Sequence, residues 1–123
     1  MSPGPVGTGR RQTAVWSAVA ERDLDAIYEY LRVRTRTGTR TVVEGILTAV
    51  ERLEEMPGMG ERAEWIEPEG DLRQFPWRNY IVFYRATDRG LVVLRVWDSR
   101  RDPETLILQM APEETGLRGP SKR

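Results

Sequence analysis

The stretch DLRQFPWRNYIVFYRATDRGLVVLRVWDSRRD, Asp71 to Asp102, decides the fold. It opens with Leu72-Arg73-Gln74-Phe75, which has the composition of a short strand, and breaks at Pro76-Trp77-Arg78-Asn79. It resumes as Tyr80-Ile81-Val82-Phe83-Tyr84-Arg85-Ala86, rich in the β-branched and aromatic residues that suit a pleated surface. Asp88-Arg89-Gly90 reads as a hairpin turn, with glycine where a left-handed backbone is wanted. Leu91 to Trp97 is a last, almost wholly apolar run, the pattern of a central strand covered on at least one face. The chain then empties into Asp98-Ser99-Arg100-Arg101-Asp102.

Upstream the hydrophobic period changes from two to about 3.6. Leu24, Ile27, Tyr28 and Leu31 fall on one helical face, and Val43, Ile46, Leu47, Val50 and Leu53 on another. Ser17 suits the N-cap of the first helix, after a strand candidate at Thr13-Ala14-Val15-Trp16. The segment Thr35-Arg36-Thr37-Gly38-Thr39 reads as the break between helices. Thr41-Val42-Val43-Glu44 has the form of a capping box for the second, and Pro57-Gly58 ends it. Helices joined by so short a turn pack antiparallel. The acidic segment from Glu55 to Glu69 reads as a solvated loop. The expected fold is α+β in two layers: a short N-terminal strand and an antiparallel helical hairpin packed on a small antiparallel sheet.

Composition bounds the rest. The 123 residues predict one domain over 13–108, flanked by tails at 1–12 and 109–123 that are too rich in Gly, Pro and polar residues to offset their ordering entropy. A domain of this size buries only roughly 60 to 70% of its unfolded surface, so a stable partner matters to it. The absence of cysteine excludes disulfides and thiolate metal sites and points to a reducing cytoplasm. No apolar run is long enough to span a bilayer, and Met1-Ser2-Pro3-Gly4-Pro5 lacks the core of a signal peptide, so no membrane role is expected. The 19 basic and 19 acidic residues cancel, which argues against coating nucleic acid by net charge alone. No cofactor is expected, and no metal: Asp98 with Asp102, and Glu51 with Glu55, are better read as ion-pair and solvated-face residues than as Mg²⁺ ligands. Histidine is absent, so no Ser-His or Cys-His nucleophile exists.

The order of elements carries a resemblance. A strand, a helical hairpin, the Leu53…Pro57-Gly58-Met59-Gly60 loop, the Leu72-Arg73 strand, the Asn79-Tyr80-Ile81-Val82-Phe83-Tyr84-Arg85 strand and the Val93-Leu94-Arg95-Val96-Trp97…Arg101-Asp102-Pro103 end together resemble the ParE/RelE toxin superfamily. That resemblance implies a small toxin of a bacterial type II toxin–antitoxin pair, held by a cognate antitoxin. ParE-like members poison DNA gyrase by binding, whereas RelE-like members cut messenger RNA on the ribosome. RelE-like enzymes place an arginine directly after the tyrosine matching Tyr80 and a tyrosine beyond the final basic cluster; here those places hold Ile81 and Leu106. Neither can move a proton or stabilise a phosphorane. The resemblance therefore leans to the ParE-like branch, with no catalytic residue, gyrase as target and the ribosome with its mRNA as the alternative; a non-toxic antitoxin-binding relic is a third reading. Target or partner contact is expected at Arg73, Trp77, Arg78, Arg100 and Arg101. The antitoxin is expected in a groove with Tyr80, Tyr84 and Trp97, beside an open edge strand to which a chain could add.

Overall fold

A computed structural model describes residues 13–107. The flanking segments 1–12 and 109–123, and the last position of the expected domain at 108, lie outside the described residues. The elements run β1 (Ala14–Trp16), α1 (Ala18–Arg32), α2 (Arg36–Glu55), β2 (Glu61–Arg62), β3 (Arg73–Trp77), β4 (Tyr80–Thr87) and β5 (Gly90–Asp98). Residues 103–107 are helical. The five strands form one sheet in the order β1-β5-β4-β3-β2. The pairs β2–β3, β3–β4 and β4–β5 form the expected small antiparallel sheet, and the short N-terminal strand β1 joins β5 in parallel, so the sheet as a whole is mixed.

Local chemistry sets the helix ends. The Ser17 hydroxyl accepts the N–H of Ala20, as a cap should, and donates to the Leu94 carbonyl of β5. The second helix starts earlier than the capping box at Thr41 would place it. Its cap is Thr35, whose hydroxyl accepts the N–H of Gly38, and Thr37 to Thr41 lie inside the helix. Thr39 and Thr41 turn their hydroxyls back to the carbonyls of Thr35 and Thr37, so the groups that favour turns are satisfied within the helix instead.

The helical hairpin covers one sheet face, where Ile46, Leu53, Val82, Tyr84, Leu91 and Val93 are fully buried. The other face is filled by Ala63, Leu72, Phe83, Leu94, Trp97 and Leu106. The 55–69 loop is solvated along most of its length, with Glu55, Glu61, Glu64 and Glu69 exposed, but the second core anchors its middle. Ala63 and Ile66 pack into it, Trp65 meets Phe83 edge-on, and Arg85 grips Glu67 through two nitrogens while also reaching Asp71.

A β-bulge divides β5. Phe83 pairs with Arg95 and Tyr84 with Val93, leaving Leu94 over. Beyond the bulge the alternation is reset, so Val96 faces the helices and Trp97 the second core.

Candidate functional site

The C-terminal end of β5, the β3–β4 turn and the end of α1 meet at one end of the molecule. Ser99 ties two of them together, donating both its N–H and its hydroxyl to the Asn79 carbonyl at 2.7 and 3.0 Å. Between α1 and the sheet lies a cleft of about 430 Å³. Its apolar wall is Ala26, Ile27, Tyr30, Tyr80 and Val96, and its charged rim includes Asp98, Arg100 and Arg101. Arg100 binds Asp98 through Nε and Nη2, at 2.9 and 2.8 Å. That hydrogen bond holds the Asp98 carboxyl below the ordinary carboxylate range. Burial, helped by the Asp98 charge, pushes the Tyr80 phenol up, so it stays a neutral donor.

At the inner end of the cleft Asp23 of α1 takes two hydrogen bonds from the Arg95 guanidinium, at 2.8 and 2.9 Å, and a third from the Val96 N–H. The pair is nearly dry, the Arg95 side chain being 7% and Asp23 13% exposed. Sequence reading passed over Asp23. The signal was Arg95 itself, because a charge inside the apolar run Leu91–Trp97 demands a buried partner.

The expected contact residues separate into two groups. Arg73 is turned inward, its Nη1 donating to the carbonyls of Gly58 and Gly60. Trp77 lies on α2 over Gly45, so the ring that seemed to need a partner is covered by the fold. Arg78, Arg100 and Arg101 are exposed and share the end described above. Asp102 does not pair with Arg101; its carboxylate accepts the N–H of Glu104 and starts the 103–107 helix.

The three aromatic groove residues do not form one groove. Tyr84 is fully buried under the hairpin, its hydroxyl donating to the Pro57 carbonyl and accepting the Gly60 N–H. Trp97 is 2% exposed and faces the opposite core, because the bulge at Leu94 reverses its side. Only Tyr80 reaches the cleft.

Among the described residues several outward groups of the sheet edges are satisfied from within. Along β5 past the end of β1, the outward Val96 N–H is taken by Asp23 and the Leu94 carbonyl by Ser17. The Ala14 N–H of β1 donates to Glu54. On β3 the two-residue turn makes Trp77 and Tyr80 the paired residues beside it, so Pro76 faces outward and has no N–H to offer.

The family profile described as ParE toxin of type II toxin-antitoxin system, parDE, matches residues 14–103, which takes in every strand together with α1 and α2. The chain belongs to this ParE toxin family. A solved structure titled the chromosomal ParDE TA system from P. aeruginosa shares the fold with a TM-score of 0.59 at 20% identity, over 71% of this chain and 95% of that one. Comparison with curated proteins found no match. As a member of a toxin–antitoxin family, this ParE-type chain implies an antitoxin partner. Among the described residues no helix is long and apolar enough to cross a membrane, and no three metal-binding side chains converge.

Proposed function

We propose that this ParE-family chain arrests growth by binding DNA gyrase, without catalysis, and that a cognate antitoxin neutralises it. The observation that carries this reading is the filled second face of the sheet. Ile81 and Leu106 stand where an mRNA-cutting relative would carry an arginine and a tyrosine, and Leu106 is fully buried with Ile81 packed on the same core. A face filled by Phe83, Leu94, Trp97 and Leu106 offers apolar side chains where an mRNA-cutting relative would present its arginine and tyrosine, which favours the non-enzymatic reading. Binding energy rather than bond chemistry then has to do the harm, and the exposed Arg78, Arg100 and Arg101 are the contact residues it uses.

The antitoxin seat in this reading is the cleft beside Tyr80. Its apolar wall suits a hydrophobic side chain of an ordering peptide, and the arginine rim suits a carboxylate of the same segment. Strand addition is the weaker mode in it, since the outward N–H groups of Ala14 and Val96 are already bonded.

The test is induction of this chain alone in a bacterium, with pulse labelling of DNA and protein, alongside supercoiling by purified gyrase. Expected are failing DNA synthesis while translation continues, and inhibited supercoiling. Translation collapsing first, with cut messages, would return the protein to the nuclease branch; no effect on growth would make it an antitoxin-binding relic.

A further inference from the structure

The net charge of the whole chain is zero and both ends of the fold carry both signs, with Arg52, Arg62 and Arg89 at one and Glu29, Asp98 and Asp102 at the other, but the arginines gather unevenly. The carboxylates Glu51, Glu54, Glu55, Glu61 and Asp88 fall toward the end where α2 stops and β4 turns into β5. The opposite end collects arginines from three places far apart in sequence: the α1–α2 turn, the β3–β4 turn and the exit of β5. Three of them lie over aromatic rings. Arg34 sits 3.7 Å from the centroid of Tyr30, Arg101 4.3 Å from Trp97 and Arg78 4.7 Å from Trp77.

All three are exposed, and among the described residues none has a carboxylate at ion-pair distance. Their neighbours differ, since Arg32 is paired with Glu29 and Arg100 with Asp98. Stacking on a ring fixes the plane of a guanidinium, which lowers the entropy lost when its edge N–H groups grip an anion; at Arg34 one Nη1–H is already given to the Tyr30 carbonyl at 2.8 Å.

Arg78 carries a second mark. Its φ is 55°, in the left-handed region, at the first central position of a two-residue hairpin turn, where glycine is the relaxed choice. The fold holds an arginine in a glycine place at the tip of the molecule.

We propose that this end docks duplex DNA by its phosphates, through Arg34, Arg78 and Arg101, without reading sequence. Arginine matches phosphate geometry, and three cations on three separate turn tips present a broad surface that can meet several phosphates of a backbone. A peptide carboxylate would need one arginine at the cleft rim, and would leave the stacked Arg34 without a purpose. Docking on DNA stands apart from the gyrase reading, since it requires no enzyme.

The experiment is fluorescence anisotropy of a short labelled duplex titrated with the full chain, at salt from about 50 to about 200 mM. Three phosphate contacts give a slope of log K on log salt near −2.7, or a roughly 40-fold loss of affinity across that range. R78G, which relaxes the turn and so keeps the fold, reduces the slope by about 0.9. R34A/R78A/R101A abolishes binding with the circular dichroism of the parent, and R89A, on the β4–β5 turn at the other end, leaves it unchanged. Duplexes of unrelated sequence bind equally. The proposal is overturned if the parent does not bind duplex at low salt, or if R78G and the triple variant bind as the parent does. Preference for polyglutamate over duplex would also overturn it, by assigning the surface to an acidic peptide. Because Arg78 and Arg101 also serve the gyrase reading, R34A separates the two: weakened duplex binding in R34A with gyrase inhibition retained would support DNA docking and show that it is separate from the target contact.

Discussion

Replacing Gly45 by alanine sets two calculable effects against each other. Gly45 lies inside α2, where alanine is the better helix former by about 0.8–1.0 kcal/mol. A Cβ at this position would stand 2.0 Å from Cζ2 and 2.2 Å from Cη2 of Trp77, so the ring must leave its seat. A tryptophan buries on the order of 150–250 Å². Lifting about half of that area from contact, at about 25 cal/mol per Å², costs roughly 2.5 kcal/mol. The packing loss wins, and G45A should be destabilised by about 1.5 kcal/mol, which for a domain of this size lowers Tm by roughly 6–12 °C. Urea and thermal unfolding followed by circular dichroism measure the loss, and a red shift in tryptophan emission reports the displaced ring. The decisive control is the same change in a W77A background. With no ring to strike, the propensity term acts alone, and the glycine-to-alanine step should then stabilise by about 0.8–1.0 kcal/mol. A stabilised G45A in the parent, or the same sign in both backgrounds, refutes the account of Trp77 as a residue seated on α2.

Two further changes probe buried polar groups. D23N leaves the Arg95 guanidinium in place but removes the charge that balances it, and a loss of roughly 3–5 kcal/mol in urea unfolding is expected; D23L/R95M, which removes both, should recover much of that loss. Y84F strips a hydroxyl that serves both the Pro57 carbonyl and the Gly60 N–H, at about 1–3 kcal/mol. It also changes the alkaline limb. Burial raises the Tyr84 pKa in the fold, so the unfolded chain releases its proton first and stability falls as pH rises above about 10. Unfolding curves from neutral to alkaline pH should therefore decline less steeply for Y84F than for the parent.

Much of the fold was legible because several signals agreed. Ser17 as cap, Pro57-Gly58 as stop and Gly90 at positive φ sit where turn and cap chemistry place them, and the order of elements fits the family. What sequence reading missed were tertiary matters. Nothing local announces that Thr39 and Thr41 will bond back to carbonyls four residues behind, which moved the start of α2 from Thr41 to Thr35. The bulge at Leu94 has no glycine to mark it, and one inserted residue sufficed to send Trp97 to the opposite face from Tyr84. The 55–69 segment reads as solvated because its carboxylates outnumber Ala63 and Ile66, yet those two and the bidentate Arg85 anchor its middle. Charge was misleading for a similar reason. The sum over the chain says nothing of how Arg34, Arg78 and Arg101, separated by dozens of residues, are gathered at one end.

The partly satisfied edges bear on how such a toxin can be restrained. A sheet with free outward N–H groups invites a partner strand, and that strand gains its affinity from backbone bonds. Here the outward N–H groups of Val96 and Ala14 are met from within, by Asp23 and Glu54, and Pro76 has none to offer. A partner that displaced Asp23 from Val96 would also strip the buried Arg95 of its carboxylate, at a cost of several kcal/mol that a few strand bonds of about 1 kcal/mol each do not offset. Side-chain contacts in the Tyr80 cleft carry no such penalty, because its wall is apolar and its rim pair, Arg100 with Asp98, is already half in water. Arg101 stands on that rim and also belongs to the proposed DNA-docking end. A segment seated in the cleft would place its carboxylate on the guanidinium that DNA would use, so restraint by the antitoxin and release from DNA become the same event.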